Sequence, residues 1–251
     1  MKIDPIHQFN IEPLFTIGHI GNQTIAFTNS SFYMFLAVAL ISILMIGGVA
    51  GRQLVPGRFQ SMAEISYEFV ATTIRSTAGA EGMKFFPLIF SLFMFICVSN
   101  LVGIIPYTFT VSSHLIVTAA LAFLVFFTVV IYGFYKNGLK FFKIFVPSGV
   151  PIYILPLVVF IEVFSFFLRP ISHSVRLFAN MLAGHISLKV FAGFIAMLGT
   201  SLGALGWAGG VLPLALVVAL TALELLVAFL QAYVFAILTC IYLNDALHPG
   251  H

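Results

Sequence analysis

Residues 156–197 read PLVVFIEVFSFFLRPISHSVRLFANMLAGHISLKVFAGFIAM, a run of Phe, Leu, Val and Ile that nevertheless carries Glu162, Arg169, His173, Arg176, His185 and Lys189. As one helix rising 1.5 Å per residue the run is about 63 Å long, roughly twice the hydrocarbon core of a bilayer. A simple perpendicular span is excluded, and Pro170 offers a place for a kink. A second run, Pro213–Leu243, reaches about 46 Å by the same rise per residue. Between them lies GTSLGALGWAGG, residues 199–210, whose glycines predict a turn. The economical reading of 150–245 is a hairpin of two long, strongly tilted helices.

The rest of the chain agrees with a membrane setting. Of 251 residues 61% are hydrophobic and 8% charged, with 29 phenylalanines. A soluble domain carries about 25% charged residues, so this chain has too little polar surface to cover itself in water. Further apolar runs occupy 31–50 and an 85–135 pair of spans. Closed barrels would show short alternating segments, so the spanning elements are helices. Segment 56–79 differs in kind. Phe59, Met62, Ile65 and Phe69 share one side at 100° per residue while Glu64, Glu68 and Arg75 share another, which predicts an amphipathic helix on the membrane surface. The fold expected is all-α and integral to the membrane: six helices, about five of them crossing, in a single membrane domain over 1–251. Residues 1–30, with Asp4, Pro5, Glu12 and Pro13, lack the pattern of a cleavable signal and read as an external N-terminal segment.

Basic residues set the orientation. Arg52, Arg58, Arg75 and Lys84 follow the first span, and Lys136, Lys140 and Lys143 follow the third, whereas Tyr107–His114 has no Lys or Arg. The positive-inside rule then puts the N-terminus outside and the C-terminus inside. The net charge of +3 comes from scattered residues, so no nucleic acid is expected as a partner. Cys97 and Cys240 lie in apolar runs and read as small core hydrophobes, and no metal or cofactor site is expected. No P-loop pattern is present, so no nucleotide is expected on this chain.

Intramembrane charges are functional candidates because even the gentlest scale assigns them about 2.5–3.5 kcal/mol each. All of them, with Glu224, fall in the last two runs. On a helical wheel Arg169, His173, Arg176 and Asn180 lie within about 40° of Glu162, a polar stripe continued by Gly184 and Ser187. Glu162 and Lys189 sit near segment ends, where snorkelling to headgroups is an alternative; Arg176 lies mid-segment. A hairpin turning near residue 204 would set Arg176 level with Gln231 and His185 level with Glu224. A Glu–His pair in low dielectric either relays a proton or forms a static hydrogen bond. His185 lies about 140° off the stripe on an ideal helix, so curvature or twist has to reconcile the two pairings. Arginine cannot lose its proton in a protein, which makes Arg176 a fixed cation able to attract a carboxylate on a partner and to block direct leakage.

The residues SVRLFANMLAGH (174–185), FLQAYVF (229–235) and SNLVGIIP (99–106) resemble the signatures of subunit a of F-type ATP synthases. The resemblance extends from about residue 85 to the end. It implies a proton-translocating stator in a bacterial inner membrane, its last two helices lying nearly flat against a ring of c subunits. The c-ring, b-type subunits of the peripheral stalk and membrane lipid are the implied partners, and protons or sodium the implied ions. By this resemblance Arg176 matches the essential stator arginine, and Asn180 and Gln231 line the same contact. Glu224 and His185 line the outer half-channel and Glu162 the inner one, with His173 on the same path. Many bacterial members carry the Glu and His of the pair in the opposite order; the arrangement here is similar to mitochondrial and α-proteobacterial members. Gly103, where some members are acidic, receives no assignment. Two rivals remain at this stage, a secondary transporter binding a solute on the polar stripe and a structural anchor. The first half lacks the matching broken segments of an inverted repeat, and an anchor leaves Arg176 and Glu224 unexplained.

Overall fold

The computed structural model describes residues 9–20, 23–50, 53–105, 108–146, 150, 151 and 153–247, with the side chains of 201–208 among those left undescribed. Asp4, Pro5, Arg52, Pro106 and Tyr107 lie outside the described residues. Two strands come first, β1 (Pro13–Ile20) and β2 (Gln23–Thr28), paired antiparallel. Six α-helices follow among the described residues: α1 (Asn29–Ala50), α2 (Arg58–Gly82), α3 (Phe86–Ile104), α4 (Leu115–Asn137), α5 (Leu155–Gly209) and α6 (Val211–Leu247). Five stretches are long and apolar enough to cross a bilayer, one of them running through α2 and α3 together. The chain is a helical membrane protein.

The β-hairpin gives the segment before α1 a structure that its reading as an external N-terminal segment did not specify. Two β-rich runs separated by Gly21-Asn22 carry a hairpin signal. The hairpin leads into α1, where Thr28 Oγ1 accepts the Ser31 N–H at 3.3 Å as a helix cap. Asn29 ties back to the preceding segment, its Nδ2 donating to the Asn10 carbonyl at 3.0 Å.

The expected turn over 199–210 is corrected. α5 continues through the glycines to Gly209, and the chain reverses at Gly210. Glycine lowers helix propensity by about 1 kcal/mol but does not forbid a helix whose backbone bonds have no water to compete for them. At 55 residues α5 is about 83 Å along its path. Pro170, buried, is accommodated within the helix.

The chain forms two compact units. One comprises Met1–Ile41, Phe95–His114 and Leu177–Gln231. Its core includes Ala37, Ile96, Phe109, Leu177, Met181 and Ala228, with the buried polar residues Asn100, Thr110, Ser112, His185 and Glu224. Asn100 on α3 is fully buried; its Nδ2 donates to the Ala228 carbonyl of α6 at 3.2 Å and its Oδ1 accepts from the Ser112 hydroxyl. That amide therefore ties one helix to another and to the α3–α4 connection.

The other unit comprises Ser42–Met94, Leu115–Arg176 and Ala232–His251. In it α2 bends at Gly79, whose φ of +66° suits glycine, so the long amphipathic stretch closes there. Its buried side is Ala63, Val70, Ala71, Ile74 and Ala78, while Phe59, Met62 and Ile65 face outward. α6 contributes Ala232, Ala236, Cys240 and Leu243, a row of small and apolar side chains at i+4 and i+3 spacing that permits close helix approach. The far ends of three helices are clasped by polar contacts. Lys136 pairs with Glu81, Asn137 Nδ2 donates to the Ala246 carbonyl at 2.7 Å, and Arg169 meets Asp245 at 2.8 Å beneath the Tyr242 ring. Gly138, at φ +53°, ends α4 and lets the chain fold back so that Phe141 packs on Gly133. A Cβ at Gly133 would lie 2.3 Å from the buried Phe141 ring. Gly133→Ala should therefore cost about 1–3 kcal/mol, read as a lower thermal midpoint of the detergent-solubilised protein.

Candidate functional site

Two buried ionisable side chains meet in the first unit. Glu224 on α6 is 4% exposed and His185 on α5 is 7% exposed, and His185 Nδ1 lies 3.2 Å from Glu224 Oε1. On its other side the same ring is held by Thr110, whose hydroxyl lies 3.0 Å from Nε2. Phe9 packs edge-on against it at 6.4 Å between centroids. Gly184 makes room for the carboxylate: a Cβ at that position would sit 2.9 Å from Glu224 Oε1. Among the described residues neither Glu224 oxygen has a hydrogen-bond partner, although both are buried. A buried carboxyl facing an imidazole without a fixed donor is a candidate proton-exchange group.

The contact also shapes the helix that bears it. From His185 to the reversal at Gly210 is about 38 Å of helix, and from there back to Glu224 about 21 Å. Straight arms would leave the two Cα atoms at least 17 Å apart, by that rise per residue, whereas side chains in contact span no more than about 12 Å. Bending α6 only shortens its arm, so α5 bends between His185 and Gly209.

Glu224 opens onto a cleft of about 310 Å³ lined by Asn180, Gly184, Ser187 and Gln231 with apolar Leu220, Leu223, Val227 and Leu230. The cleft is roomy enough for several waters and has polar groups to hold them. The fold thus brings together four of the residues singled out from sequence: His185 and Glu224 in contact, and Asn180, Glu224 and Gln231 around one cleft. Asn180 is exposed and Gln231 half-buried.

The second unit holds the others. Arg176 is exposed on α5, Glu162 is half-buried, and His173 is buried with its ring 3.8 Å from that of Phe235. His173 Nε2 has no partner among the described residues. Arg169 is engaged by Asp245 and the Tyr242 ring. No cluster of His, Cys, Asp and Glu able to hold a metal ion occurs among the described residues.

Sequence reasoning missed Thr110, Asn100, Ser112 and Asp245. Asn100 carried a signal as a lone amide in an apolar run, and Asp245 as an acid beyond the last span facing several bases. Thr110 carried none, because it lies in a connection with no periodicity. The neighbouring His114 stacks on Phe109 at 4.8 Å, and burial pushes its imidazole below the ordinary histidine range, favouring the neutral ring.

Comparison with known proteins places the chain in a family. The family described as ATP synthase A chain matches residues 31–244. ATP synthase subunit a of Bradyrhizobium diazoefficiens is 85% identical over the whole of both chains. That of Rhodopseudomonas palustris strain BisA53 is 83% identical over 99% of this chain and all of the relative. That of Nitrobacter winogradskyi is 80% identical over the same shares. The chain belongs to the ATP synthase subunit a family.

Proposed function

We propose that this chain is the proton-conducting stator of a bacterial ATP synthase, supplying two offset half-channels and a fixed positive charge to a rotating ring of c subunits. The observation that carries the reading is the buried His185–Glu224 contact at the wall of a polar cleft, in a chain of this family. Protons enter the cleft past Asn180, Ser187 and Gln231, exchange with Glu224 and His185, and neutralise a carboxylate on the ring. After nearly a full turn they leave along the inner path by His173 and Glu162. Arg176, exposed on this chain and unable to deprotonate, meets the returning carboxylate and stops protons passing directly between the two paths. Each proton delivers about 2.3 kcal/mol per 100 mV of membrane potential, which drives the rotation.

The partners in this reading are the c-ring, b-type stalk subunits and the lipid of the inner membrane. The N-terminus lies in the periplasm and the C-terminus in the cytoplasm. The clasp of α4 and α6 ends supports this topology, because Lys136 and Asn137 lie against Ala246 and Leu247, and the loop following α4 is lysine-bearing. Segment 56–79 serves as the surface helix, its outward Phe59, Met62 and Ile65 being suited to the headgroup–acyl boundary. The whole chain functions as one membrane domain.

The test is reconstitution in lipid vesicles with and without the c-ring under an imposed potential. Proton flux should require the ring and vanish when a carbodiimide modifies buried ring carboxylates. Flux or solute uptake by this chain alone would overturn the reading in favour of a transporter. Flux that follows sodium rather than pH would overturn the choice of ion.

A further inference from the structure

We propose that Thr110 positions the His185 imidazole on Glu224, and that the lack of a side chain at Gly103 is what allows it to do so. This deepens the proton-transfer reading of the His185–Glu224 pair and rests on it.

The two nitrogens of one buried ring each face one polar group, Nε2 in a hydrogen bond and Nδ1 in a close approach. Nδ1 lies 3.2 Å from Glu224 Oε1 and Nε2 lies 3.0 Å from Thr110 Oγ1. Partners on opposite sides fix the ring against flipping. A hydroxyl suits the outer position because it donates or accepts by rotating about a single bond. When Nε2 carries the hydrogen, Thr110 accepts it and turns its own proton toward the Gly103 carbonyl, 3.5 Å away. Nδ1 then presents its lone pair to Glu224, and a proton leaving the carboxyl oxygen is gained by Nδ1 with no other bond changed. When the hydrogen is on Nδ1 and faces the carboxylate, Thr110 donates to Nε2 instead. The contact thus survives both neutral tautomers, which a relay requires and a fixed donor or acceptor would not permit.

Thr110 is itself held in place. It is 2% exposed, with extended backbone at φ −91° and ψ 104°. Its carbonyl accepts from the Ser113 hydroxyl at 2.6 Å, and the adjacent Ser112 is bound to Asn100. Gly103 packs directly on it: a Cβ there would lie 2.9 Å from Thr110 Cγ2, 3.1 Å from Oγ1 and 3.3 Å from Cβ. A Cβ at 103 therefore presses on Thr110, which has to shift from the position in which it meets His185. Lys189 lies over the Phe9 ring that packs against His185.

The experiment measures ATP-driven proton pumping and ring-dependent passive flux in vesicles carrying the whole complex, normalised to assembled subunit. Thr110→Val keeps the shape and removes the hydroxyl, and flux should fall about tenfold with a changed pH profile. Thr110→Ser keeps the hydroxyl and should stay within about twofold of the parent with an unchanged profile. Gly103→Ala should lose several-fold. Combining it with Thr110→Ser should restore flux, because Ser lacks the Cγ2 that the new methyl strikes. A merely structural role predicts tolerance of the isosteric Val, and the same steric relief by Ser but with an unchanged pH profile throughout. Full activity of Thr110→Val, equal loss in Val and Ser, or failure of the double variant to exceed Gly103→Ala would each overturn the proposal. Should the Val variant not assemble, the pH profile of Gly103→Ala decides: a shifted profile that Thr110→Ser restores supports the positioning role, and an unshifted one overturns it. Glu224→Gln run in parallel separates the two levels: if it abolishes flux while Thr110→Val does not, only the positioning role is lost.

Discussion

Arg176→Ala is expected to reduce ATP-driven proton pumping at least a hundredfold while the complex still assembles. A hundredfold loss corresponds to about 2.7 kcal/mol, within the range of removing one charge that compensates another in a low-dielectric setting. The side chain is exposed on this chain, so its removal leaves no cavity in the core and no orphaned partner there. The cost falls on the contact with the ring, whose carboxylates would lose their fixed counter-charge. Passive flux should persist or rise in the same vesicles, because the barrier between the two paths is gone. Arg176→Lys should recover only part of the coupled activity, since an ammonium in hydrocarbon can shed its proton and lacks the planar fork. Dye-quenching assays of pumping, run beside immunoblots of assembled subunits, read both effects. Pumping by Arg176→Ala at half the parental rate would sink the stator reading, and an anchor would be the better description.

The second large effect belongs to the buried pair. Glu224→Gln keeps shape and polarity but cannot ionise, and flux should fall about a hundredfold or more, the lower end of the usual worth of a positioned proton-transfer group. Glu224→His alone sets two imidazoles against each other, and His185→Glu alone sets two carboxyls about 3 Å apart, where both cannot ionise. Each single change should lose at least tenfold. Exchanging both residues restores one acid and one imidazole at the same contact, and the double variant should regain activity to within about fivefold. Recovery of that size is a coupling energy of at least about 1.8 kcal/mol and measures the pair directly. If the double variant is no better than the singles, the two residues act separately and the 3.2 Å contact is a structural coincidence.

Reading the chain residue by residue, the helices were legible because hydrocarbon imposes a single rule: backbone polar groups must be satisfied within the segment. The long apolar runs therefore declared themselves as α1, α3, α4, α5 and α6. The amphipathic pattern of 56–79 declared α2, and Gly79 closes it near the expected boundary. The site candidates were equally visible, since Arg176, His185 and Glu224 stand out against their apolar surroundings. Two features misled. The Gly-rich stretch 199–210 read as a turn by its composition, but helix persists to Gly209 because nothing in an apolar medium competes for its backbone bonds. The β-hairpin before α1 was passed over because attention to hydropathy discounts short polar-flanked strands.

What the sequence by itself determined was the class of the protein, the number of its helices and which charges had to be explained. These follow from the transfer cost of each side chain, a property local to the residue. What only the tertiary structure decided was which of those charges meet. The His185–Glu224 contact needs a bend in α5 that no local propensity announces, and Thr110 reaches the ring from a connection remote in the chain. Both depend on close approach permitted by absent side chains, at Gly184 and Gly103, and such space arises only when separate segments pack against one another.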